Sequence, residues 1–180
     1  MTGDPLLIFV QFNAWATRRL IDACRLLDDA DLDRRFAIGP GSLRATLRHI
    51  LGNLEHWTDR AQGRPTRPFP DATASLDQLE SRLLSATDAL RRVLETADVA
   101  EVVYSDFTLD DGGVVKARFT RSAALLHALN HATHHRAQCL NMLRQLGVDP
   151  LPEFDLIDWQ HEVDDRDYTA NLEPVYEGDR

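Results

Sequence analysis

Apolar residues recur at helical spacing through most of this 180-residue chain. From about Pro5 to Leu27, Phe12, Trp15, Arg19 and the Leu26-Leu27 end supply packing bulk. Asp4 is placed to cap that helix, and Pro5 suits its first position. Asp28 to Asp31 breaks the pattern, Gly39-Pro40-Gly41 marks a turn, and Ser42 caps a second helix reaching about Ala61. Its buried stripe is Leu43, Leu47, Ile50, Leu51, Leu54 and Trp57. Residues 63 to 74 hold three prolines and no periodicity, which predicts a loop. Ser75 starts a third helix with Leu76, Leu79, Leu83, Leu90 and Leu94 inward, ending near Ala97.

The period then changes from helix to strand. Val102-Val103-Tyr104 and Val114-Val115 flank Asp110-Asp111-Gly112-Gly113, a hairpin turn signal. Thr120 caps a fourth helix that stops at Gly147, with Pro150 and Pro152 barring continuation. Glu153 to Glu162 is expected to form a short closing turn or helix, docked through Ile157 and Trp159. That docking would bring Asp155 or Asp158 near Arg18 or Arg48. The expected class is all-α: a four-helix bundle with a small β-hairpin between the third and fourth helices. The 63–74 loop serves as a crossover that permits parallel neighbours.

Charge divides the chain unevenly. The net charge is −9, yet ten acidic and two basic residues fall between Glu153 and Arg180, leaving residues 1–152 nearly neutral. The expected organisation is one domain over 1–162 and an acidic, solvated tail over 163–180. No basic stripe points to nucleic acid, and no apolar run approaches the roughly 20 residues of a membrane span. The first residues lack the features of a signal peptide, so the expected location is cytoplasmic. Cys24 and Cys139 lie in apolar helical company without a CxxC pair, which reads as two reduced core thiols.

Candidate chemistry concentrates in His127, His131, His134 and His135 on the fourth helix. His131 and His135 are four apart, so their β-carbons lie about 5–6 Å from each other on one face. They border the stripe of Leu125, Leu129, Ala132, Cys139 and Leu143. Two neutral imidazoles so spaced can share a divalent metal, although HxxxH pairs also occur as ordinary surface or core residues. A catalytic site generally takes a third protein ligand, which must come from another helix. His49, His56 and Glu55 on the second helix are candidates, and periodicity does not choose among them.

The segment from Leu126 to Gln138, LHALNHATHHRAQ, resembles the signature of DinB-like proteins, a family distinct from the DNA polymerase that shares the name. Phe12 to Ala16, Leu47 to Gly52 and Asp155 to Trp159 resemble its first helix, second helix and closing segment, in the right order. The resemblance implies an up-down-down-up bundle, often a homodimer, with zinc or nickel held by three histidines. Carried over by position these are His49, His131 and His135.

A bound dication lowers the pKa of a coordinated water or thiol, so two chemistries follow. One is hydrolysis of a small molecule. The other is transfer or isomerisation with a low-molecular-weight thiol, which the resemblance favours because characterised relatives include thiol-dependent S-transferases and a mycothiol-dependent isomerase. His127, Gln138 and Asn53 are candidates to orient the ligands from behind, and Arg136 to attract a carboxylate or pair across a dimer. No Ser-His-Asp arrangement or phosphate-cradling glycine loop was found, and no general base is assigned. The alternatives are a non-catalytic, stress-related dimeric metal-binding protein and a helical interaction module without metal.

Overall fold

A computed structural model describes residues 3–109 and 111–163. The order is α1 (Pro5–Cys24), α2 (Asp29–Asp33), α3 (Leu43–Ala61), α4 (Leu76–Thr96), β1 (Val102–Thr108), β2 (Val114–Thr120), α5 (Arg121–Gln145) and α6 (Leu156–Val163). The architecture is mostly helical with one antiparallel hairpin, and the described residues form six helices where the sequence pattern predicts four long ones. The addition absent from that pattern is α2, which is too short for a period. Asp28 caps it by accepting from the Asp31 amide at 2.8 Å, and Asp29 and Asp31 favour its N-terminal dipole.

The long helices start where local chemistry dictates. Asp4 Oδ1 accepts from the Leu6 amide at 2.8 Å, Ser42 Oγ from Ala45 at 3.2 Å, and Thr120 Oγ1 from Ala123 at 3.2 Å. Ser75 and Gln78 form a reciprocal capping box. In the hairpin Val103 faces Phe119 and Phe107 faces Val115. Phe107 and Phe119 lie on Trp57 of α3, with ring centres 5.9 and 5.4 Å away.

One core joins Leu20, Ile21 and Cys24 of α1, the α3 leucine stripe, Leu79, Leu83, Leu90 and Val93 of α4, and Leu125, Leu129, Met142 and Leu143 of α5. Leu26, expected to add bulk, is 78% exposed because α1 ends before it. Both cysteines are free and buried, and burial pushes the Cys24 thiol up to about 12.

Side-chain pairs give the helix directions. The 62–75 connection doubles back along α3: Arg67 reaches Asp59, Arg48 donates to the Pro70 carbonyl at 2.8 Å, and Arg44 donates to the Ala74 carbonyl at 3.1 Å. Helix α4 therefore begins beside the start of α3 and runs alongside it in the same sense, with Arg82 Nε on Glu55 at 3.0 Å. Arg121 at the start of α5 donates to Ala61 at the end of α3 (2.7 Å), so those two are antiparallel. Arg25 near the end of α1 meets Asp77 and Glu80 at the start of α4, so those two are antiparallel as well.

The closing segment docks through Trp159, 2% exposed against Phe12 and Ala16, whereas Ile157 faces outward at 56%. Arg18 pairs with Glu80 and Arg48 holds the Pro70 carbonyl. Asp155 instead caps α6, and it is Glu162 that meets Arg19 and Trp15. The proposed acidic tail lies outside the described residues beyond Val163. No described helix is long and apolar enough to cross a membrane.

Candidate metal centre

The apolar stripe of α5 turns Leu125, Leu129, Ala132 and Cys139 into the core, all at 0% exposure. This leaves His131 and His135 at its border facing α3. The antiparallel run of α3 and α5 brings His49 opposite them. Its Nε2 lies 3.1 Å from His131 Nε2, which is also 3.1 Å from His135 Nε2. One nitrogen from each ring falls within 4.8 Å of the others.

The donor set fits a divalent ion. His135 Nδ1 donates to Gln138 Oε1 at 2.8 Å, which places its proton there and turns a lone pair at Nε2 toward the other two rings. His131 Nδ1 is buried with no partner among the described residues. With the ring protons on Nδ1, the Nε2 lone pairs 3.1 Å apart face one another, and a cation at about 2.0–2.1 Å from each would be coordinated by all three.

All three rings are held neutral. Burial pushes His131 down to about 3, and neighbouring His135, His49, His127 and His134 add to the effect. Burial lowers His49, with His135 adding to it. Burial also lowers His135, outweighing the opposing bond to Gln138, and His134 adds a further lowering. Neutral imidazole is the ligand form.

The other sequence candidates separate. Asn53 Nδ2 donates to the His49 carbonyl at 3.0 Å and lies 3.2 Å from His49 Nε2, at the edge of the cluster. Gln138 bridges two histidines, since its amide nitrogen donates to His134 Nε2 at 2.9 Å. His127 touches the cluster through ring contact alone: its centre is 5.9 Å from His131 and 4.4 Å from Trp57. His56 is drawn away, donating Nε2–H to the Arg67 carbonyl at 2.5 Å. Glu55 is buried in its ion pair with Arg82. Arg136 does not face outward, and among the described residues it pairs with no acid. It is 1% exposed and donates to Asn13 Oδ1 (2.5 Å), Thr17 Oγ1 (3.1 Å) and Thr133 Oγ1 (2.9 Å).

Two residues without a sequence signal complete the surroundings. Phe69 of the 62–75 loop stacks beside His49 and packs edge-on to His56, with centres 6.2 and 4.4 Å away. Gly52 makes that possible, because a β-carbon there would sit 2.1 Å from the Phe69 ring. A single aromatic residue in an aperiodic loop carries no positional information until the loop folds back. A cavity of about 910 Å³ lies elsewhere along α5, lined by Phe12, Arg136, Leu140 and Phe154 and by no member of the triad.

The family model described as DinB family matches residues 3–166. A solved structure from Exiguobacterium sibiricum 255-15, described as a candidate member of the DinB family, is 24% identical. The match covers 86% of this chain and 99% of that one, with a TM-score of 0.56. At that identity the likeness is one of fold. No curated protein matches the chain.

Proposed function

The chain belongs to the DinB family, and on that premise we propose that it is a metal-dependent enzyme acting on a small molecule. Its zinc or nickel ion is held by His49, His131 and His135. The observation that carries the reading is the convergence of three Nε2 atoms, with the His135 proton held on the far side of its ring by Gln138. Imidazole ligands suit both metals. A thiol-dependent transfer or isomerisation is the preferred reaction and hydrolysis the second. When bound, the ion acts as a Lewis acid on a water or thiol.

The chain's own residues prepare that chemistry. Burial keeps the three imidazoles neutral. Gln138 holds the His135 ring, and Asn53 places an amide donor beside the cluster. Phe69 and Trp57 supply apolar walls on two sides through His49 and His127. Support for an up-down-down-up bundle comes from the doubling back of residues 62–75 and the antiparallel pairs α1/α4 and α3/α5. A homodimer and a cytoplasmic location belong to the same proposal. A non-catalytic metal site is the second reading, favoured by the Phe69 ring over His49.

Metal analysis after purification tests the proposal. The wild type should carry about one equivalent of zinc or nickel, and His131→Ala essentially none; equal, negligible content in both refutes it. On the nickel-loaded protein, a thiol that gains access to the ion produces a thiolate charge-transfer band. No band with any low-molecular-weight thiol, together with no hydrolysis of small esters or amides, would favour the non-catalytic reading.

A further inference from the structure

We infer that Gly39 is a positioning residue for the metal centre, acting through Gln138 on His135. The inference rests on the metal reading above and deepens it. Gly39 opens the turn between α2 and α3, with φ at +50°. That angle alone would also admit asparagine or aspartate. Space is the stricter limit: a β-carbon at Gly39 would lie 1.9 Å from Gln138 Oε1 and 2.8 Å from its Cδ. The displaced atom is the acceptor that holds the proton on His135 Nδ1 at 2.8 Å. The other end of the amide is engaged on His134 Nε2 at 2.9 Å, so the group cannot swing aside and keep both bonds.

The consequence runs through three contacts. With Gln138 in place, His135 carries its proton on Nδ1 and offers Nε2 to the site. With Gln138 pushed out, Nδ1 loses its acceptor, and the ring is free to protonate at Nε2, 3.1 Å from His131 Nε2, where a proton blocks coordination. The Gly39-Pro40-Gly41 turn and the HxxxHxxQ segment are about a hundred residues apart in sequence and have one physical function between them.

The test is a double-mutant cycle on zinc affinity, read by competition with a chromophoric chelator, with nitrogen NMR of the histidine rings in the metal-free protein. Gln138→Ala should weaken zinc binding about 10–100-fold, the usual effect of losing such a partner. Gly39→Ala should weaken it similarly, and so should Gly39→Asn, which tolerates the backbone angle but still carries a β-carbon. Gly39→Ala/Gln138→Ala should bind no more than about threefold more weakly than Gln138→Ala alone, because both act on one contact. Gln138→Glu, which keeps the acceptor, should bind near the wild-type level.

In the metal-free wild type, His135 should be protonated at Nδ1, and this preference should be lost in Gly39→Ala. Multiplicative losses in the double variant would show that Gly39 acts only through backbone strain and would overturn the inference. So would a His135 proton found on Nε2 in the wild type. Wild-type protein that takes no zinc at all would overturn the metal reading, and the NMR result would then decide the positioning contact by itself.

Discussion

Replacing Gly52 with alanine sets helix propensity against steric fit. Gly52 lies inside α3, where alanine is favoured over glycine by about 1 kcal/mol. The new β-carbon would sit 2.1 and 2.3 Å from Cδ1 and Cε1 of Phe69, against about 3.5–4 Å for a relaxed contact. The ring must therefore leave its place beside His49 and His56. Phe69 is 40% exposed. About 60% of a side chain of roughly 200 Å² is thus out of water, and full expulsion costs about 3 kcal/mol at ~25 cal/mol per Å². Half-expulsion costs about 1.5 kcal/mol by the same measure. Set against the propensity gain, the variant should lose about 0.5–2 kcal/mol, a fall in Tm of about 2–6 °C for a chain of this size. Thermal unfolding in excess chelator measures it. In a Phe69→Ala background the conflict is gone, and Gly52→Ala should stabilise by about 1 kcal/mol. A stabilising effect in both backgrounds, or the same loss in both, refutes the packing argument.

Zinc at about 100 times its dissociation constant should stabilise the wild type by about 2.7 kcal/mol, raising Tm by about 5–10 °C, with no rise for His135→Ala. Metal-free protein should lose stability in acid. The three rings have lowered pKa values, His131 down to about 3, so between there and about 6.5 the unfolded chain binds more protons than the native one. Stability is then complete above about 6.5 and falls as pH drops toward 3, and His131→Gln should flatten urea midpoints measured at pH 7.5, 6 and 5. Arg136→Met leaves Asn13 Oδ1 without its donor in the core and should cost about 2–4 kcal/mol. Adding Asn13→Leu should restore at least half of that by making both partners apolar; no recovery in denaturant unfolding would contradict the pairing.

The parts of this protein that could be read along the chain are those whose causes are local. Asp4, Ser42, Ser75 and Thr120 cap the long helices because a side-chain oxygen satisfies amides two or three residues ahead. The leucine stripes of α3 and α5 are buried because a 3.6-residue period repeats without outside information. The spacing of His131 and His135 belongs to the same class.

Contacts across the chain decided the rest. Periodicity left His49, His56 and Glu55 open, and the resemblance favoured His49. Physically, it is the returning 62–75 loop that draws His56 to the Arg67 carbonyl, and Arg82 that takes Glu55. Arg136 carries the charge of a surface residue, yet it is buried, with one nitrogen donating to Asn13 and Thr17 in the interior and another to Thr133. Gly39 and Gly52 read as an ordinary turn residue and an ordinary helix residue. Their meaning lies in which distant side chain, Gln138 or Phe69, occupies the space a β-carbon would fill, and that depends on how the backbones approach one another in three dimensions.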